Sequence, residues 1–164
     1  MAYIFELDSE LEQEEPFIDA LGTEIVEFAL GYDPERNQTV LMSVMLVPTK
    51  TKTCDLRFGI REKDMSTDWK VTAPDYTQEK VRECIPSHSR DLVKEMLVEA
   101  VDLLARSTEF EKITMETYYP DLGEKAMAKY RPICKSLNNN GFQTKSDFRN
   151  AGTRKHYWFF SSRD

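Results

Sequence analysis

The stretch "SHSRDLVKEMLVEAVDLLARS", Ser87 to Ser107, narrows the possible folds more than any other part of the chain. Its apolar residues Leu92, Val93, Met96, Leu97, Ala100, Val101 and Leu104 step by one, three and four. That spacing puts them on one stripe of a helix about five turns long. The segments before and after it alternate instead, as strands do. A long helix between two strands is a crossover, and a crossover joins parallel neighbours in a sheet. The reading predicts a helix from Ser89 to Arg106 with Met96, Leu97 and Val101 buried. Ser87 or Ser89 suits its N-cap, and Asp91 suits the positive first turn.

Before that helix, "AYIFELD" alternates, and "SELEQEEPFIDALG" is an acidic connection of helical character ended by Gly22. "TEIVEFALGYD" and "QTVLMSVMLVP" flank the turn chemistry of "YDPERN", which predicts a β-hairpin. "TCDLRFGIRE" and "TDWKVTA" extend the hairpin into an antiparallel meander. After the helix, "EKITMETYY" returns to period two with Ile113, Met115 and Thr117 on one face.

"DLGEKAMAKY" reads as a short helix. "RPICKSLNNNGF" reads as another, with Pro132 at a favourable first position and Ile133 and Leu137 buried. Asn138 to Asn140 fray its end, and Gly141 supplies the left-handed closing residue. Phe142 begins the next strand, and "FQTKSDFRNAGTRKHYWFFSS" forms two strands about a "NAG" turn. "HYWFF" is apolar on both faces, which predicts a strand covered on both sides. The fold class is therefore α/β with α+β character. It is a mixed, largely antiparallel sheet with a long crossover helix and a C-terminal β-hairpin, in a single domain over residues 1–164.

A chain of 164 residues, 40% hydrophobic, suits one sizeable core. Its 22 basic and 29 acidic residues give a net charge of -7. Nucleic-acid binding through phosphate neutralisation is disfavoured, and an acidic surface suits a basic protein partner. The longest apolar run, around "TVLMSVMLVP", is too short for a membrane-spanning helix, so no membrane role is expected. The N-terminus lacks the basic and apolar regions of a signal peptide. Cys54, Cys84 and Cys134 have no paired spacing, which argues against a zinc site or disulfide framework and for a reducing, cytoplasmic setting. His88 and His156 are too few for a histidine-rich metal site.

The element order and the helix-end "GF" resemble the GNAT superfamily of acyl-CoA-dependent N-acyltransferases. The resemblance covers Ser87 to Phe160 best. In that family the long helix opens at a Q/R-x-x-G-x-G/A loop whose amides hold the pyrophosphate of coenzyme A. Helix N-termini suit that task because they present unpaired N–H groups and a positive dipole. The matching stretch is "CIPSHSRDLV", with Ser87 and Ser89 where glycines are usual. The resemblance implies acetyl-CoA held by Ser87, His88, Ser89 and Arg90. An ordinary Ser-capped helix is the alternative reading of the same residues.

Family members often carry N-x-x-A-x-x-x-Y-x-x-x-G-F, whose tyrosine protonates the departing thiolate. Counting back from Gly141 places Leu137 at the tyrosine position, Ile133 at the alanine and Tyr130 at the asparagine. Leucine transfers no proton, and some virus-encoded relatives carry leucine there, so the chain resembles that divergent branch. Tyr130, two helical turns earlier, is either a substitute acid or a packing or surface aromatic. Deprotonating an ammonium needs a carboxylate or histidine in reach. Glu116 is the candidate, with Glu27 and Glu83 behind it, although acidic residues are common in this chain and the ordinary reading of each is a solvated face. His156 reads as a residue that packs or hydrogen bonds within the sheet. The resemblance implies transfer of an acetyl group from acetyl-CoA to a small-molecule or protein amine. The alternative is a non-catalytic GNAT-like binding, inhibitory or virion-associated protein with an eroded cofactor site.

Overall fold

The structure is a computed structural model that describes residues 3–7, 15–64, 66, 78–118 and 127–162. The meander forms as the alternation predicts. Strand β3 (Glu24–Asp33) pairs with β4 (Gln38–Lys50), and β4 pairs with β5 (Thr53–Asp64), all antiparallel. At the first turn the Asp33 carboxylate accepts the amides of Glu35 and Arg36, and Asn37 takes the left-handed conformation that asparagine tolerates. Val26, Phe28, Val40, Met42, Val44, Leu56 and Ile60 are buried in the core cluster.

Two short strands, β1 (Ile4–Phe5) and β2 (Phe17–Ile18), pair with β3. Gly31 makes the first of these possible, since a Cβ there would lie 2.2 Å from the Ile4 carbonyl oxygen. The described part of the acidic connection is thus a strand and a turn, where the sequence suggested helix. The expected strand "TDWKVTA" and residues 121–126 of the expected short helix lie outside the described residues.

A short helix α1 (Gln78–Cys84) and a 3₁₀ turn (Ser87–Ser89) lead into α2 (Arg90–Ser107). Helix α2 buries Val93, Met96, Leu97, Ala100, Val101, Leu104 and Ala105, as the periodicity requires. Leu92 is exposed, because it lies about 100° round the helix from Val93, off the stripe. The chain then enters β6 (Lys112–Tyr118), which runs parallel to β5. The sheet order is β1-β3-β4-β5-β6-β8-β7, with β7 (Phe142–Asn150) and β8 (Lys155–Ser162) as the C-terminal hairpin. The fold is therefore mixed α/β, with a largely antiparallel sheet, a long crossover helix and a terminal hairpin.

Helix α3 (Tyr130–Asn139) packs beside α2 and buries Tyr130, Ile133, Ser136 and Leu137. Its asparagines fasten the helix end where fraying was expected. Asn138 donates to the Phe142 carbonyl and to Thr144, while Asn140 donates to Asp102 of α2 and to the Ser136 carbonyl. Gly141 closes the helix at φ 92. On β8, His156, Trp158 and Phe160 are buried, but Phe159 is exposed and Tyr157 half-buried. The strand is thus fully covered on one face only. On the other face the Tyr157 and Phe159 rings stack on exposed Phe148 of β7.

Candidate functional site

Strands β5 and β6 run side by side only from Thr53↔Lys112 to Asp55↔Thr114. Beyond that point β5 stays with β4 while β6 stays with β8, so the parallel pair parts toward its carboxyl ends. On the face covered by α2 and α3, Tyr130 lies across this parting. Its ring stacks on Trp158 of β8 with centroids 4.8 Å apart and meets Phe58 of β5 at 6.1 Å. Its hydroxyl donates to Thr117 Oγ1 of β6 at 2.8 Å. Burial raises the phenol above its ordinary range, and the Thr117 bond pulls the other way. The Lys129 ammonium lies 5.1 Å from the Tyr130 ring centre and 5.8 Å from that of Phe58. Burial, and then the charge of Lys94 on α2, lower the Lys129 pKa. Lys129 therefore links the parting of the strands to the first turns of α2.

The α2 entrance differs from the expected serine cap. Ser87 to Ser89 wind into the 3₁₀ turn, whose Ser89 amide donates to the Pro86 carbonyl. Ser89 consequently has helical backbone angles, whereas a capping residue is extended. Neither the turn nor the helix has a side-chain cap. Ser87 and His88 are exposed, and Ser89 and Arg90 are half-buried. The Arg90 Nε is buried without a hydrogen-bond partner among the described residues. An uncapped helix start with an unpartnered guanidinium nitrogen fits an anion such as a pyrophosphate.

The carboxylates lie elsewhere. Glu116 is exposed and ion-paired with Lys155 at 2.9 Å. Strand alternation puts it on the face opposite Thr117, and hence opposite Tyr130. Glu27 accepts a hydrogen bond from Ser43 and lies 3.9 Å from Arg61, and Glu83 is exposed on α1. The structure thus brings Tyr130 to the parting and leaves Glu116 on the far side of the sheet.

His156, read from sequence as a residue that packs or hydrogen bonds within the sheet, does both, and it lies on the same face as Tyr130. His156 stands opposite Thr117 in the β6–β8 register, its ring 4.2 Å from that of Trp158. Its Nε2 contacts the Asp147 carboxylate of β7, and its buried Nδ1 has no partner among the described residues. The sequence signal was the alternation of His156, Trp158 and Phe160, which puts the histidine on the core face. Nearby, burial and the Asp147 charge push the Cys134 thiol up to about 12, so it stays protonated at neutral pH. Among the described residues, no three His, Cys, Asp or Glu side chains are grouped to hold a metal.

No protein-family model and no curated relative matches the chain. Solved structures with some likeness include the spermidine/spermine N-acetyltransferase SpeG of Vibrio cholerae, at 14% identity and a TM-score of 0.33. That match covers 84% of this chain but only 64% of SpeG, so the chain spans less than two thirds of that protein's length. A Sphaerobacter thermophilus protein, provisionally described as an acetyltransferase, is 16% identical with a TM-score of 0.32. That match covers 93% of this chain and 82% of the other. Likeness at this level carries no weight for function, and the fold stands on the element order and strand register described above.

Proposed function

We propose that the chain binds acetyl-CoA and transfers its acetyl group to an amine, carried by a small molecule or by a protein. The observation that carries this reading is the uncapped start of α2, with its unpartnered Arg90 Nε, on the crossover that joins the parallel strands β5 and β6, which part after three register pairs. In crossover folds, ligands bind outside the carboxyl ends of parallel strands, with phosphates at the following helix N-terminus. The free amides at the start of α2 would hold the pyrophosphate, with the Ser87 and Ser89 hydroxyls and the His88 imidazole as further donors and Arg90 as the charge. Acetyl-CoA supplies an activated thioester. Tyr130 holds a proton on its hydroxyl at neutral pH and is the candidate donor to the departing thiolate.

A second reading is a non-catalytic relative of the same fold, as in the virus-encoded branch that the Leu137 position resembles. Two observations favour it. Tyr130 is 5% exposed within the parting, and Glu116 is paired with Lys155 on the opposite face. Such a protein would present its acidic surface to a basic partner.

Thermal unfolding with acetyl-CoA tests the first reading. Ligand at one hundred times its Kd stabilises by about 2.7 kcal/mol, which raises Tm by about 5–11 °C in a domain of this size. Ser87→Glu and Ser89→Glu should remove the shift by setting carboxylates against the phosphates, yet leave the unliganded fold intact because an acid is tolerated at a helix start. No shift at millimolar acetyl-CoA would overturn the acetyl-CoA reading. A shift that both variants keep would move the site away from α2.

A further inference from the structure

Buried imidazole nitrogens normally find partners, so the Nδ1 of His156, which has none among the described residues, needs an explanation. The opposite nitrogen, Nε2, lies against the Asp147 carboxylate. In the neutral ring that contact keeps the proton on Nε2 and leaves a lone pair on Nδ1. A carboxylate that orients a histidine in this way is the arrangement that prepares an imidazole to take a proton. Its position matters as much as its chemistry. His156 and Thr117 are register partners on β8 and β6, and the Tyr130 hydroxyl donates to that same Thr117. Trp158 packs against both the His156 and the Tyr130 rings. An imidazole and a phenol thus flank one threonine, the first as its register partner and the second as its hydrogen-bond donor.

We propose that His156 is the general base of this site, with Asp147 as its positioning residue and Tyr130 as the acid across Thr117. The proposal rests on the acyl-transfer reading above. Nδ1 takes one proton from the acceptor ammonium, and the freed amine attacks the thioester carbonyl carbon. The C–N bond forms and the C–S bond breaks. The thiolate takes the Tyr130 hydroxyl proton, and the tyrosinate recovers the proton shed by the new amide nitrogen. His156 then releases its proton to solvent, so one proton leaves per turnover. Among the described residues, the charged and titratable groups near His156 include Asp147 and Arg149 of β7 and, on α3, Tyr130 and Cys134.

The test combines three measurements on the full chain. Calorimetry with acetyl-CoA should show binding by wild type, His156→Asn and Asp147→Asn alike. Thiol release from acetyl-CoA, with putrescine or a lysine peptide as acceptor, should fall about 10²–10⁴-fold in His156→Asn. Asp147→Asn, at a half-exposed position that tolerates the change, should lose a smaller part and shift the acidic limb of the pH–rate profile. ¹⁵N NMR of the imidazole should show Nε2 protonated and Nδ1 bare in wild type, with the tautomers mixed in Asp147→Asn. Binding without a rate loss in His156→Asn, binding without thiol release in wild type, or a protonated Nδ1 would each overturn the base. Absence of acetyl-CoA binding would instead overturn the function from which the base follows.

Discussion

Replacing Tyr130 first by phenylalanine and then by alanine separates the hydroxyl from the ring. Tyr130→Phe removes one hydrogen bond, the 2.8 Å donation to Thr117. A typical intramolecular hydrogen bond nets about 0.5–1.5 kcal/mol, and half-buried Thr117 can turn its hydroxyl elsewhere. The expected loss is therefore about 1 kcal/mol, or about 2–4 °C in Tm. Tyr130→Ala removes a ring that is 5% exposed and held against Trp158 and Phe58. Truncating a buried aromatic costs about 3–5 kcal/mol, a figure that includes the cavity left behind. Urea unfolding followed by tryptophan fluorescence should give midpoints in the order wild type, Phe, Ala, with a common slope. An alanine variant within about 1 kcal/mol of wild type would mean that the ring does not fill the space between the parting strands. In the same pair of proteins, thiol release separates the roles, because an essential acid costs about 10²–10⁴-fold in Tyr130→Phe and a packing residue costs little.

Met96→Asp should destabilise the domain by at least about 3 kcal/mol, since it puts an unpaired charge at a buried position of α2; a denaturant midpoint near wild type would refute the α2 packing. Ser89→Ala should change stability by less than about 0.5 kcal/mol, where a true N-cap would cost about 1 kcal/mol; a loss of that larger size would restore the serine cap. Glu24 has its pKa raised, chiefly by burial and despite the hydrogen bond it accepts from Thr108 at 2.5 Å. Its folded state holds the proton more tightly than the unfolded chain, so stability falls as pH rises through the window above about 4.3. Glu24→Gln should therefore raise Tm at pH 7, with the gain vanishing below about pH 4, and a gain that persists in acid would assign the effect to something other than charge.

Periodicity is a local property, and what it governs was legible in the residues. The step of one, three and four from Val93 to Leu104 is a helix in any context that offers an apolar surface, and α2 begins and ends within one residue of the expected bounds. The hairpin about Asp33 and the left-handed close at Gly141 follow from turn chemistry that acts over a few residues. The asparagine run was harder, because Asn140 reaches Asp102 on another helix, and a tertiary hydrogen bond overrides local fraying. The candidate site was harder still. Tyr130 could be singled out by counting from Gly141, and the alternation of Ile113 and Met115 already set Glu116 on the face away from the core. His156 acquires a role only because the β7–β8 register brings Asp147 within reach and the β6–β8 register brings Thr117 opposite it. Residues nine apart in one hairpin and thirty-nine apart across two strands become neighbours through backbone hydrogen bonds alone. A one-residue slip of β8 would turn His156 to the other face of the sheet. Apolar pattern thus wrote the elements into the chain, while strand register, which exists only once the sheet is assembled, decided which polar groups meet.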